Sequence, residues 1–338
     1  MRRSVFSLSL VFAVGIGTAV SFAGARPLPL RQSPSSVGSS SLVARNGVVV
    51  PRERRLPLPT LPSLSAGWKS ARATTGRGLL YVADQSAAAV EIYEQAGKNQ
   101  QPIGSITQGI SGVDGLFVDH KLNLYACNFG NGTVTVYPPG STTPSETLTG
   151  AGSPKQVVVA LNGTVYVSNF NSGTNGTVLK YPKGHTTPSK TIVTFGTGSF
   201  PEGLAIDSAK NLYVAYNTND GEVLEFSPGS PSGKNLGIHV GYVGGMTIDT
   251  SNDILLDDQN LPGVDVFPPG KTTPSKQYKM SGLAYSVALN KKNTRLWITN
   301  PFSPPSVNEL TYPDGVIVDT ITSLKSAFGV ATSPEGSK

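Results

Sequence analysis

A unit of roughly 40 residues recurs to the end of this chain. It restricts the possible folds more than any other feature, because repeats of this period are stacked or radially arranged modules. One copy reads Gly-Leu-Phe-Val-Asp-His-Lys-Leu-Asn-Leu-Tyr-Ala-Cys-Asn from Gly115 to Asn128. Another reads Gly-Leu-Ala-Ile-Asp-Ser-Ala-Lys-Asn-Leu-Tyr-Val-Ala-Tyr from Gly203 to Tyr216. The second apolar run of each unit is anchored at Tyr81, Tyr125, Tyr166, Tyr213, Leu255 and Trp297, with spacings of 44, 41, 47, 42 and 42 residues. The runs are short, β-branched or aromatic, and bounded by Gly, Asn or Asp, which are strand signals. In one unit Gly115 to Asp119, Leu124 to Cys127, Thr133 to Tyr137 and Glu146 to Leu148 read as four antiparallel strands. Four such strands per unit make a propeller blade.

The first-strand anchors are Leu116, Val157, Leu204, Met246, Val287 and Val330. The run at Leu79 to Ala83 has no first strand before it, and the run at Phe328 to Ser333 has no second strand after it. The C-terminal strand therefore completes the N-terminal blade and removes the open sheet edge. The expectation is an all-β, six-bladed propeller over residues 79–338.

The ends read differently. Arg2 and Arg3, the apolar stretch Val5 to Val20 and the small residues Ala23-Gly24-Ala25 form a signal-peptide pattern over 1–25, cut after Ala25. The paired arginines leave both general and twin-arginine export open, and a retained N-terminal anchor is the competing reading. No other segment has the ~20 apolar residues a membrane span needs. Residues 26–78 are rich in Pro, Arg and Ser, as in Arg55-Leu-Pro-Leu-Pro-Thr-Leu-Pro62, and read as a disordered tether. The expected location is the cell envelope, the periplasm or the outside of the cell.

Nine basic residues against Glu53 alone give the tether +8, whereas 16 basic and 20 acidic residues leave 79–338 at −4. The basic balance is thus outside the repeat region. That argues against a nucleic-acid binder, which carries its basic patch on the reading surface, and suits contact of the tether with anionic envelope surfaces. Cys127 is the single cysteine, so no intrachain disulfide or thiolate metal cage forms. A monomer is the expectation.

Three loops share a sequence, at Ser141 to Ser145, His185 to Ser189 and Lys271 to Ser275, and read as turn devices. Asn131-Gly-Thr, Asn162-Gly-Thr and Asn175-Gly-Thr fit both a glycosylation acceptor and a tight hairpin.

Candidate chemistry lies around the ring axis. A polar residue closes each second strand: Asp84, Asn128, Asn169, Tyr216, Asp258 and Asn300. Before the first strands stand Asp114, Lys155, Glu202 and Ser286. These ends should ring one mouth of the channel and bind a ligand there. Oxygen donors such as Asp114, Glu202 and Asp258 suit a hard cation such as Ca²⁺. The same groups also suit the capping of strand ends.

Pro201-Glu-Gly-Leu-Ala-Ile-Asp207 followed by Asn211-Leu-Tyr-Val-Ala215 resembles the NHL repeat and the related gluconolactonase-like (SMP-30) propellers, and Leu79 to Asp84 and Val165 to Asn169 are similar. The resemblance implies either a binding platform or a hydrolase opening sugar lactones with one divalent metal held by Glu, Asn and Asp. Ala327 and Phe328 occupy the stretch where that enzyme pattern has its first Glu, and no blade start offers the Asn. Streptogramin-lyase-like propellers are another neighbour and need a catalytic His, whereas His120 reads as an outer turn and His239 lies near a fourth strand. The sequence thus favours an exported, non-enzymatic binding or scaffold module, with a metal-dependent lactone hydrolase as the alternative.

Overall fold

Successive side chains of a strand point to opposite faces, so a strand buried on both faces must be apolar throughout. Leu79–Asp84, every residue of which is buried, is such a strand. Leu79, Tyr81 and Ala83 turn to one neighbour and pack with Val113, Leu116 and Leu124. Leu80 and Val82 turn the other way and pack with Trp297, Val307 and Val330. Six clusters of this kind fill the spaces between neighbouring blades. Each fully buried large apolar side chain in them contributes roughly 1.5–3 kcal/mol.

The computed structural model describes residues 78–95, 97–98, 100–170, 175–302 and 304–333. The expected leader, and the expected tether apart from Gly78, lie outside these. The described residues form six four-stranded antiparallel sheets, so the expected propeller is the fold. The innermost strands are Ala327–Thr332 in blade 1, Val113–Val118 in blade 2 and Pro154–Val159 in blade 3. Phe200–Ile206, Met246–Ile248 and Ser286–Leu289 follow in blades 4 to 6. Blade 1 joins the two ends of the ring, with Tyr81 opposite Ala331 and Val82 opposite Val330. No helix of the described residues is long and apolar enough to cross a membrane.

The turn after the innermost strand is built alike in several blades. Asp119 Oδ1 accepts the backbone N–H of Lys121 at 2.9 Å and of Asn123 at 2.8 Å, and Asp249 does the same for Ser251 and Asp253. The Thr-Thr-Pro-Ser loops also share one bond. The N–H groups of Ser145, Ser189 and Ser275 donate to the carbonyls of Val136, Lys180 and Val266 at 2.8, 2.9 and 2.8 Å. Asn131-Gly132 and Asn162-Gly163 sit in hairpin turns, with φ of 72° and 85° at the glycines. Asn175 instead begins the strand Asn175–Tyr181, so the hairpin reading does not hold there.

One irregularity positions the site. The innermost strands of blades 1 to 4 each carry a register break near the axis, between Ala327 and Val330, Val113 and Leu116, Pro154 and Gln156, and Pro201 and Leu204. A bulge re-aims a side chain and ends regular pairing. Here the breaks hold Phe328, Asp114, Lys155 and Glu202. Glycines let the strands approach one another. A Cβ on Gly115 would lie 2.2 Å from the Lys155 carbonyl, and one on Gly329 would lie 2.1 Å from that of Asp114.

Candidate functional site

The residue two positions before the first-strand anchor comes, in blades 1 to 6, as Phe328, Asp114, Lys155, Glu202, Gly244 and Tyr285. This ring places four polar side chains from four blades in mutual contact. Lys155 Nζ donates to Asp114 Oδ2 at 2.9 Å and to the Tyr285 hydroxyl, and lies 3.3 Å from Glu202 Oε2. Tyr285 Oη donates to Asp114 Oδ2 at 3.2 Å. Between these groups, Gly244, Gly245, Gln156 and Ser286 remains a cavity of about 10 Å³, room for about one water molecule. Lys155 thus bridges the acids of blades 2 and 4 at this level.

Aromatic rings surround the ammonium. Nζ lies 5.0, 5.5 and 6.0 Å from the ring centroids of Tyr285, Phe129 and Phe170, within cation–π range. Phe170 stacks on Phe200 at 4.3 Å, and Tyr285 meets Phe328 edge-on at 4.8 Å. Phe302 meets Phe328 at 6.3 Å. Phe129, Phe170, Phe200 and Tyr285 are half-buried, while Phe302 and Tyr242 are 41% and 37% exposed. The channel mouth is thus an aromatic cup over a charged floor.

The electrostatics of that floor are unequal. Burial alone would lower the Lys155 pKa, but Asp114 and Glu202 outweigh it and hold the ammonium charged well above its usual range. Burial pushes Glu202 up to about 7, against the pull of Lys155. Burial raises Tyr285 as well, and the Asp114 charge adds to it, so the phenol stays neutral. A further acid lies behind the floor. Asp257 is fully buried and accepts the N–H groups of Gly244 at 2.5 Å and Gly245 at 2.8 Å. Burial raises its pKa against those two bonds.

Of the residues marked from the sequence, Asp114, Lys155 and Glu202 come together here, and Ser286 lines the cavity. The residues closing the second strands hold backbone instead. Asp84 accepts N–H groups from Ala87, Lys325 and Ser326 at 3.2, 2.8 and 3.0 Å. Asn128 Oδ1 accepts from Ser111, and Asn169 Oδ1 from Gly152 and Ser153. Asp258 accepts from Gly241, Asn260 and Leu261, and Asn300 from Phe302. Asp258 thus spends both carboxylate oxygens on backbone and does not join Asp114 and Glu202. In blade 4 Tyr216 holds the register position, opposite Pro201. Its ring packs on Phe195 at 4.6 Å and its hydroxyl donates to Glu222 at 2.7 Å. The cap passes to Asn217, whose Oδ1 accepts from Val243 at 2.9 Å.

Two site residues were not marked from the sequence. Tyr285 stands two residues before Val287, as Asp114 does before Leu116, so counting back from the anchor would have found it. Asp257 carries the only carboxylate among Ala83, Cys127, Ser168, Ala215, Asp257 and Thr299, which hold the same place in their strands. That irregularity is visible in the aligned repeats.

Away from the axis, in blade 4, Asp220 in the turn before Gly221–Phe226, Glu222 on that strand and His239 on Lys234–Val240 bring ligand atoms within 4.8 Å of one another. His239 Nδ1 lies 2.9 Å from Asp220 Oδ2 with more than half of its side chain exposed.

No family model and no curated sequence matches the chain. Its fold matches solved structures. A chain in the crystal structure of a nidogen/laminin complex aligns with a TM-score of 0.60 at 16% identity, covering 77% of this chain and 99% of that one. A gluconolactonase from Xanthomonas campestris aligns with a TM-score of 0.50 at 16% identity, covering 66% and 83%. A protein of unknown function from Desulfotomaculum acetoxidans aligns at 0.57 and 14%, covering 76% and 99%. At these identities the likeness is one of fold.

Proposed function

We propose that this chain is an exported propeller that acts as a non-enzymatic binding or scaffold module, with the aromatic channel mouth as its ligand-facing surface. One observation carries the reading: Lys155 Nζ lies between Asp114 and Glu202, 2.9 and 3.3 Å from their oxygens. Two acids at the floor of the channel are the natural anchor for a divalent cation. Here they are already joined by a side-chain ammonium, and the third carboxylate suggested by the sequence, Asp258, is spent on backbone N–H groups. The mouth above is aromatic and keeps ring surface in water, as binding surfaces do. Export is supported by the basic start, apolar run and small-residue cut pattern of residues 1–25, and the basic tether suits weak attachment to anionic envelope material.

The competing reading, a metal-dependent lactone hydrolase, draws on the blade motifs and the shared fold, and fold does not fix function. The test is an assay of sugar-lactone hydrolysis by the purified protein with Ca²⁺, Mg²⁺, Mn²⁺ or Zn²⁺. The expected rate equals that of buffer with the same metal. Metal-dependent turnover that disappears in Asp114→Asn would overturn the proposal.

A further inference from the structure

The carboxylates near the axis differ in how well they are satisfied. Asp257 receives two backbone N–H groups, and Asp258 receives three. Asp114 receives Lys155 and the Tyr285 hydroxyl. Glu202, 5% exposed, has Lys155 Nζ alone among the described residues, at 3.3 Å, the longer of that ammonium's two ion pairs. A buried carboxylate ordinarily takes several donors. The floor also holds more acid than base, with Asp114 and Glu202 against the single ammonium of Lys155. The unfilled space beside Glu202 has the size of one water molecule, which is also the size of an ammonium head group. Blade 5 sends no side chain into the ring because its position is Gly244. Above that blade Tyr242, 37% exposed, stands near enough to feel the charges of Glu202 and Lys155.

We propose that the mouth binds a small ligand with a primary ammonium on an aromatic or apolar body, the ammonium bonding to Glu202 and the body lying on the aromatic rim at Phe170 and Tyr242. This rests on the reading of the chain as a binding module and names its ligand class. A charged N–H donor would add to the single ion pair that Glu202 makes with Lys155, and such bonds are roughly twice as strong as neutral ones. The added charge offsets the surplus of carboxylates. The rim favours a cation over its ring faces and an apolar body against its exposed surface.

The probes are 2-phenylethylamine and its neutral counterpart 2-phenylethanol, titrated calorimetrically into the full chain at a pH where Glu202 is ionised. The amine should bind saturably at one site and at least tenfold more tightly than the alcohol. Glu202→Gln should remove that preference, and Tyr242→Ala should weaken both ligands by a similar factor. Should Glu202→Gln fail to fold, judged by its melting curve, the amine-to-alcohol ratio and Tyr242→Ala decide the matter in stable proteins. Equal binding of amine and alcohol, no saturable amine binding, or an unchanged preference in folded Glu202→Gln would overturn the proposal. Binding of a neutral ligand at the rim without amine preference would overturn this inference and leave the binding-module reading standing. Metal-dependent lactone turnover would instead remove that reading.

Discussion

Lys155 and Asp114 stand 41 residues apart in sequence, one blade from each other, yet Nζ lies 2.9 Å from Oδ2 at the ring axis. The repeat makes this contact. Each blade offers the same backbone position to the axis, and the bulges of blades 2 and 3 aim these two side chains at one point. The contact also ties neighbouring blades to each other through charge.

Lys155→Met should therefore be costly. It removes the partner of two buried carboxylates, and breaking a buried ion pair costs about 3–5 kcal/mol. Equilibrium unfolding in guanidinium should show the midpoint lowered with an unchanged slope. A loss below about 1 kcal/mol would mean that the pair is solvated and the floor open.

The pH dependence of stability follows from Glu202. Its folded pKa is about 7 against an ordinary 4.5, so between those values the folded chain holds a proton that the unfolded chain has lost. Stability from this group is full below pH 4.5, falls as pH rises to about 7, and is level above. The change is on the order of 3 kcal/mol. Lys155, Asp114, Asp257, Tyr242 and Tyr285 are the charged or titratable groups facing it. Asp257, also shifted upward by burial, acts in the same direction. Melting curves from pH 4.5 to 8 should show a decline with rising pH that is shallower in Glu202→Gln. A melting temperature that rises over this range, or an identical slope in the variant, would contradict the assignment.

Asp84 holds the ring closed. Its carboxylate accepts from Lys325 and Ser326, just before the strand that completes blade 1, so Asp84→Ala leaves the buried N–H of Ser326 and the part-buried N–H of Lys325 without that acceptor. At about 1–3 kcal/mol for an unsatisfied buried group, a loss of about 3 kcal/mol is expected. Limited proteolysis should then cut the chain near Lys325 first. Asp84→Asn, which keeps one acceptor oxygen, should lose less.

Close approach at the axis sets the cost of a methyl group there. Gly115→Ala would place its Cβ 2.0 Å from Gln156 Oε1 and 2.2 Å from the Lys155 carbonyl, and overpacking against backbone should cost about 3 kcal/mol or more. At Gly270 a Cβ meets nothing within 4 Å and only the left-handed φ of 73° opposes it, so Gly270→Ala should lose about 1 kcal/mol. Similar losses at the two positions, read by unfolding, would refute the packing argument.

The architecture was legible because it rests on apolar periodicity, which is local. Tyr81, Tyr125 and Trp297 mark second strands, and the unmatched runs at Leu79 and Phe328 disclose the closure of the ring. The site was legible in part. Asp114, Lys155 and Glu202 show themselves as polar residues beside strand starts, but their mutual pairing depends on bulges that spacing alone does not reveal. Tyr285 was passed over for Ser286, one residue away, and a shift of one residue turns a side chain to the other face of its strand. The closing residues Asn128, Asn169 and Asp258 look like ligands in sequence. Their oxygens serve loop backbones, a role fixed by the path of the incoming chain.

The most direct measurement is calorimetric titration of Ca²⁺ into the protein and into Lys155→Met, both carrying Asp220→Asn and Glu222→Gln to remove the carboxylates of the outer Asp220–Glu222–His239 cluster. With Lys155 present, no saturable binding should appear up to millimolar Ca²⁺. Lys155→Met should gain one site, and adding Asp114→Asn should abolish it. A single saturable Ca²⁺ site in the protein that retains Lys155, lost on Asp114→Asn, would contradict the claim that the lysine ammonium holds the place of a cation at the axis.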